Sequence, residues 1–244
     1  MLELPRIMGH RGAAGRAPEN TLAGLRAAAD MGATWVEFDV MLTKDRVPVL
    51  FHDDNLKRTT RREALMVETP FAELSSVEAG AWFAPKFAGE PVPSLEMALA
   101  LALQLGLTPN VEIKPTPGQD EATAAAALEV IACCWPAGRP GPLISSFSRA
   151  SLEVARRQAP DLPRALIAWR LPRDWSKAAE ALACCSLHIA GNRLNAKRVA
   201  RIKAAGYALA AFTVNEPKVA RKLLGWGVDC IITDKPDTIA KAIA

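Results

Sequence analysis

The sequence predicts an α/β protein built as a closed parallel (β/α)8 TIM barrel, and three observations predict it. Short apolar runs alternate strictly with Ala/Leu-rich runs along nearly all 244 residues. Eight runs of each kind is the count a closed barrel needs. No Gly-rich dinucleotide fingerprint follows the first strand, which argues against an open doubly wound sheet. Half of the residues are apolar and 23% are charged, enough for one large core, so residues 1–244 read as a single barrel domain.

The strand candidates are 6–10, 34–40, 109–114, 142–147, 163–168, 186–190, 207–214 and 228–233, each short, apolar and bounded by turn residues. Between them lie helical candidates at 21–31, 94–105, 119–134, 149–158, 174–184, 196–205, 216–225 and 236–243. Asn20, Ser94 and Asn215 stand where N-caps are expected.

Two segments break the alternation. Residues 40–52 form a second extended run directly after the second strand, joined only by Lys44–Asp45–Arg46. That link is too short for a parallel crossover and predicts an antiparallel hairpin. With Asp45–Arg46 as the turn, the pairing counts back to Asp39 opposite His52, although the register can slip by one residue. Residues 54–93 lack clean periodicity and read as an insertion in the loop after strand two, on the barrel face where catalytic groups collect.

Composition sets outer bounds on function. The net charge of +4 fits an anionic small-molecule substrate, but no Lys/Arg block is dense enough for nucleic acid. The start, MLELPRIMGHRG, has no basic-then-apolar leader, and no run reaches the roughly eighteen apolar residues of a membrane span. A cytoplasmic location is expected, and no feature of the sequence sets an oligomeric state. Cys133–Cys134 and Cys184–Cys185 are adjacent pairs in helical runs, where neighbours diverge by roughly 100°. With Cys230 they read as buried free thiols in a reducing compartment.

Chemistry concentrates at strand ends. Glu37 and Asp39 in VEFDV are two apart on a strand and face one way, and Glu112 and Lys114 in VEIK repeat the spacing on the next barrel strand. Three carboxylates converging at the barrel mouth make an oxygen-rich site for a hard cation, Mg²⁺ or Ca²⁺, or else a salt-bridged layer with Lys114 and Arg11. Of three histidines, His10 in GHRG and His52 in FHD sit at strand ends beside charged neighbours, whereas His188 in SLHIA reads as a buried, hydrogen-bonded structural residue. Arg11 offers a donor fork to an oxyanion, and Gly12 permits close backbone approach. Two imidazoles, an Arg, a Lys and a hard metal point to phosphoryl-ester chemistry.

These residues resemble the glycerophosphodiester phosphodiesterase family. The match runs through GHRG (9–12), PENT (18–21), VEFDV (36–40), HD (52–53) and RTT (58–60) to VPSLE (92–96), VEIK (111–114), SSF (145–147), FTVN (212–215) and IITDKP (231–236). The resemblance implies a (β/α)8 barrel with an insertion after the second strand. It also implies hydrolysis of glycerophosphodiesters to sn-glycerol 3-phosphate and an alcohol. Residue by residue, it makes Glu37, Asp39 and Glu112 the metal ligands, His10 and His52 the acid–base pair, and Arg11 and Lys114 the phosphate contacts. Glu19 and Asn20 become helix caps and supports of the site. The sequence departs from the family's usual Trp at Phe212, and from its usual glycines at Cys230, at Arg46 and within Arg61–Arg62–Glu63. These departures bear on the preferred alcohol. Two other readings are a lysophospholipid-cleaving enzyme on the same fold, with Trp82, Phe83 and Phe87 meeting an acyl chain, and a non-catalytic phosphate-ligand binder.

Overall fold

In the computed structural model, which describes residues 2–243, the eight expected strands and eight expected helices are all present. The strands are β1 (Ile7–Gly9), β2 (Trp35–Leu42), β3 (Pro48–Leu50), β4 (Thr108–Ile113), β5 (Leu143–Ser146), β6 (Arg164–Ala168), β7 (Ser186–Ala190), β8 (Ala208–Phe212) and β9 (Cys230–Thr233). All but β3 join in one parallel ring, and β1 closes it by pairing with both β9 and β2, Gly9 lying opposite Val36. The helices are α1 (Leu22–Asp30), α2 (Lys57–Thr60), α3 (Phe71–Leu74), α4 (Leu95–Leu105), α5 (Asp120–Cys134), α6 (Arg149–Gln158), α7 (Trp175–Ala181), α8 (Ala196–Ala204), α9 (Pro217–Gly225) and α10 (Pro236–Ile243). Of these, α2 and α3 are single turns within the insertion, and the other eight cover the barrel.

Of the three expected N-caps, Ser94 acts as one and the two asparagines do not. Ser94, Ser148 and Asn195 accept hydrogen bonds from the backbone N–H three residues on, capping α4, α6 and α8. Thr21, not Asn20, caps α1 through Oγ1. Likewise Asn215 does not cap α9, which begins after Glu216 with Pro217 in its first turn. Both asparagines turn instead into the barrel mouth.

Alternation along each strand sorts the side chains. Val36, Phe38 and Val40 of β2 and Val111 and Ile113 of β4 face outward and join Leu25, Leu95, Leu99 and Ile144 in a buried layer under α1, α4 and α5. Leu187, Ile189, Leu209 and Ala211 do the same on the other side of the ring, against Val199, Ile202 and Leu223. Inside the barrel, Met8, Ala210, Cys230 and Ile232 form a small apolar plug. The plug explains Cys230: the thiol is one more core atom, and burial pushes its pKa well up. All five cysteines are free, but Cys133 is exposed, because its side of α5 turns outward.

The hairpin of β2 and β3 is antiparallel, one residue out of the counted register. Val40 pairs with Leu50, Met41 with Val49 and Leu42 with Pro48, so Asp39 meets Phe51, whose N–H donates to the Asp39 carbonyl at 3.2 Å. The loop is Lys44–Asp45–Arg46, three residues rather than two, and its last residue, Arg46, takes a left-handed φ of 65°. His52 therefore lies beyond the ladder, free to lean toward the site.

Residues 54–93 carry α2, α3 and 3₁₀ turns at Met66–Glu68 and Pro85–Phe87. They have a core of their own, in which Leu56, Met66, Leu74 and Val92 pack on Met41, Val49 and Phe51 of the hairpin. Trp82, Phe83 and Phe87 stack edge to face, and Trp82 Nε1 donates to the Ala79 carbonyl at 2.8 Å, so these rings serve the insertion's own packing. Among the described residues no helix is long and apolar enough to cross a membrane.

Phe38 is among the largest fully buried side chains and faces the outer core, away from the site. Phe38→Ala should therefore lower the unfolding free energy by about 3–5 kcal/mol, the usual cost of truncating a buried Phe. Urea denaturation checks this, and a midpoint unchanged from wild type would contradict it.

Candidate active site

The site is built where β1, β2 and β4 open onto one end of the barrel. After Gly9 the chain turns through His10, Arg11 (φ 49°) and Gly12 (φ 83°). A side chain at Gly12 would bring Cβ within 2.5 Å of the Gly24 backbone, so only glycine lets this turn sit against α1. The turn delivers two donors to Glu37: the Arg11 N–H reaches Oε2 at 2.9 Å, and the Gly12 N–H reaches the Glu37 carbonyl at 3.1 Å.

Asp39 and Glu112 are register neighbours on β2 and β4, and Glu37 stands opposite Asn110 one step down. Ligand atoms of Glu37, Asp39 and Glu112 lie within 4.8 Å of one another. Their titration differs. Burial would raise Asp39, but the Arg11 charge, with His52, Lys114 and the Asn20 amide, outweighs it and holds the carboxyl below its ordinary value. Asn20 Nδ2 donates to Asp39 Oδ2 at 2.8 Å, and Arg11 Nε lies 3.1 Å from the same oxygen. Burial and then the Asp39 charge push Glu112 up to about 8. Glu37 is likewise driven well above the usual carboxylate range, first by burial and then by Asp39 and Glu112. Glu37 Oε1 is buried with no hydrogen-bond partner among the described residues.

The residues present therefore fit a hard divalent cation. Three oxygen donors converge, one of their oxygens is orphaned, and burial together with mutual repulsion raises the pKa of two of the three carboxyls, a cost that a cation would relieve.

Each histidine at the mouth carries a carboxylate on its Nδ1. His10 Nδ1 lies 2.6 Å from Asp234 Oδ1, and His52 Nδ1 lies 2.5 Å from Asp53 Oδ1. With Nδ1–H donating, Nε2 is left as the nitrogen presented to the site, and His10 Nε2 is 3.9 Å from Glu37 Oε2. Burial would raise Asp234, but the hydrogen bond and charge of His10, with the Asn215 amide, hold it low. Asn215 donates to Asp234 Oδ2 at 2.5 Å and accepts from the Asp234 N–H and the Thr233 hydroxyl at 2.9 Å. For His52, burial is the leading cause of a lowered pKa, partly opposed by Asp39.

Several members of the site have no role legible in their own sequence position. Asp53 and Asp234 follow directly on strand-end motifs, and Arg58 lies in RTT. The pattern shows that they are charged; it does not show what they hold. Arg58 Nε donates to Asp53 Oδ2 at 2.6 Å and its NH1 and NH2 grip Glu19 at 2.7 and 2.8 Å. Glu19 in turn takes Arg11 NH1 at 2.7 Å. The chain Arg11–Glu19–Arg58–Asp53–His52 thus links the first strand's turn to the insertion and the second imidazole. Glu19 supports the site; it does not cap α1.

Lys114 follows β4, its N–H donating to the Val40 carbonyl at 3.0 Å. Its side chain lines a cavity of about 670 Å³ with His52, Asp53, Glu112, Phe147 and Trp169. A larger cleft of about 790 Å³ lies between α5 and α6 and contains none of these groups.

His188 departs from expectation. It is buried inside the barrel, lining a small cavity with His10, Glu37, Asn110 and Glu112, but its Nε2 has no partner among the described residues. Burial depresses its pKa to about 3. Between the ordinary 6.5 and about 3, the unfolded state binds a proton that the folded state refuses, so His188 costs stability as pH falls through that window. His188→Leu should flatten the acid side of the stability profile by up to about 1.4 kcal/mol per pH unit below 6. Denaturant melts from pH 7 to 4 test this; parallel wild-type and variant profiles would refute it.

Fold and site together define a class: a (β/α)8 barrel whose mouth gathers a cation-type carboxylate cluster and two carboxylate-held imidazoles. The chain belongs to the glycerophosphoryl diester phosphodiesterase family, whose profile matches residues 10–238. It is 36% identical to the Bacillus subtilis protein YhdW over 96% of both chains. It is 32% identical to a glycerophosphodiester phosphodiesterase of Caldanaerobacter subterraneus over 97% of both. Its fold superposes on an Oleispira antarctica phosphodiesterase, solved with the product sn-glycerol-3-phosphate, with a TM-score of 0.96 at 42% identity, covering 98% and 97% of the two chains.

Proposed function

We propose that this protein hydrolyses glycerophosphodiesters to sn-glycerol 3-phosphate and the alcohol of the head group, with His10 and His52 as the acid–base pair. The observation that carries the reading is the joint placement of three converging carboxylates and two imidazoles, each imidazole tied through Nδ1 to its own carboxylate. Glu37, Asp39 and Glu112 are the residues that would hold Mg²⁺ or Ca²⁺. Such a cation, when bound, neutralises charge on the non-bridging phosphoryl oxygens.

The remaining work falls to the chain's own groups. Arg11 and Lys114 bind and orient the phosphoryl group. His10 Nε2, turned to the site by the bond of Nδ1 to Asp234 on the far side of the ring, accepts the proton of the attacking hydroxyl. The attack is in line, from the substrate glycerol's neighbouring hydroxyl, forming a P–O bond as the bond to the alcohol breaks. His52 gives its proton to the departing oxygen; burial makes its imidazolium the readier donor. Water then opens the cyclic phosphate with the two histidines exchanging roles. Asp53 and Asp234 touch no substrate in this reading; they position the rings.

Glycerol 3-phosphate release from glycerophosphocholine should stop in chelator and return with Mg²⁺ or Ca²⁺. Failure to release it under any metal would overturn the activity. His52→Ala should lower turnover at least about a hundredfold, the scale of general acid–base catalysis; turnover within a few-fold of wild type removes His52 from the mechanism. A substrate lacking the neighbouring hydroxyl should react very slowly, and its equal turnover would exclude the internal nucleophile. By calorimetry, Glu37→Gln/Asp39→Asn should lose divalent-cation binding altogether; retained affinity would place the cation elsewhere.

A further inference from the structure

Round the rim from β4, the next strand ends are those of β5, β6 and β7, and they carry a second arrangement that the chemistry above does not use. Trp169 is 67% exposed and Phe147 37%. The two ring centroids are 5.7 Å apart, and Phe212, at the end of β8, lies 5.9 Å from Phe147 and 5.4 Å from Trp169. Together they make an aromatic ridge. On one side of it is the cavity with His52, Glu112 and Lys114; on the other is a cavity of about 590 Å³, and Phe147 and Trp169 line both. The outer cavity is otherwise lined by Arg149, Arg170, Asn192 and Arg193 among its polar groups. Arg149 is committed to Asp174 through bonds of 2.7 and 2.9 Å. Arg170 and Arg193 form no ion pair among the described residues. Two free guanidinium groups thus stand past an exposed aromatic ridge beside the phosphoryl site.

We propose that this outer cavity receives the alcohol half of the diester and selects a head group bearing its own negative charge, a second phosphate or a carboxylate. The inference rests on the phosphodiesterase reading above. The carboxylates and histidines occupy the β1, β2 and β4 side of the mouth, so a departing alcohol extends over the opposite arc, across Phe147 and Trp169. Aromatic faces alone would suit a quaternary ammonium such as choline. Two whole positive charges just beyond them outweigh a ring's quadrupole and repel that cation, while their planar forks match phosphate or carboxylate oxygens.

The test compares, by phosphorus NMR, wild-type kcat/KM on three diesters: one whose alcohol is glycerol phosphate, glycerophosphoglycerol as the same polyol without the added charge, and glycerophosphocholine. The charged diester should exceed glycerophosphocholine by about tenfold or more at low ionic strength, with the ratio shrinking as salt screens the arginines. Arg170→Gln/Arg193→Gln should bring the ratio near one by slowing the charged diester, and Arg170→Glu/Arg193→Glu should reverse it. Arg157→Gln, at the far end of α6, should leave the ratio unchanged. A wild-type ratio of one or less, or a ratio that both double variants preserve, overturns the inference while leaving the phosphodiesterase reading intact. Cleavage of none of the three overturns that reading and this inference with it.

Discussion

Mutual repulsion among Glu37, Asp39 and Glu112 is the constraint to which the rest of the site answers. Carboxylates this close and this buried cannot all ionise unaided, and the split in their titration shows the frustration: Asp39 is held low, while Glu37 and Glu112 are forced up. The protein stabilises one charge, with Arg11 and Asn20, and leaves the other two carboxyls with raised pKa values. A purely structural polar layer would pair every oxygen, because an orphaned buried acceptor costs about 1–3 kcal/mol. The unpartnered Glu37 Oε1 is the sign that this layer is built for something else.

Two of the five non-glycine residues with a left-handed φ among the described residues stand at the same place. Arg11 and Asn20 both take left-handed φ values, 49° and 54°, within ten residues of each other, with Gly12 at 83° between them. Such conformations cost on the order of 1 kcal/mol or more for residues bearing a Cβ. Here they are held by the Asn20 N–H donating to the Arg11 carbonyl at 3.1 Å and by Asn20 gripping Asp39 through both side chain and backbone. A relaxed turn would aim the guanidinium and the amide elsewhere. Strain, capping and electrostatics at this corner therefore form a single device.

Much of this was legible in the sequence because it depends on period and spacing. The alternation of apolar runs gave every barrel strand, and the two-residue spacing of Glu37 and Asp39 put both inside. What escaped depends on three-dimensional pairing. The hairpin register turned on whether the loop held two or three residues, and a left-handed Arg46 decided it. Asn20 and Asn215 looked like caps because asparagine before a helix usually is one; both are instead drawn to acids at the barrel mouth, the buried Asp39 and the half-buried Asp234, where an amide's two donors and carbonyl satisfy more than a helix end would. His188 looked hydrogen-bonded because a buried imidazole usually is, and no local pattern reveals an unfilled partner.

The slipped register also explains how one loop can serve both halves of the site. Were His52 directly across from Asp39, its backbone would be held in the ladder and its side chain confined to one face of the hairpin. Placed one residue past the ladder, it takes its orientation from Asp53, and Asp53 takes its own from Arg58 in the first turn of the insertion. Arg58 also holds Glu19, which holds Arg11. The second imidazole and the Arg11 guanidinium are thereby set by the same insertion residue, so displacing α2 would disturb both at once. The insertion's small core packs on the hairpin through Met41, Val49 and Phe51, and Arg58 is its polar tie to the site.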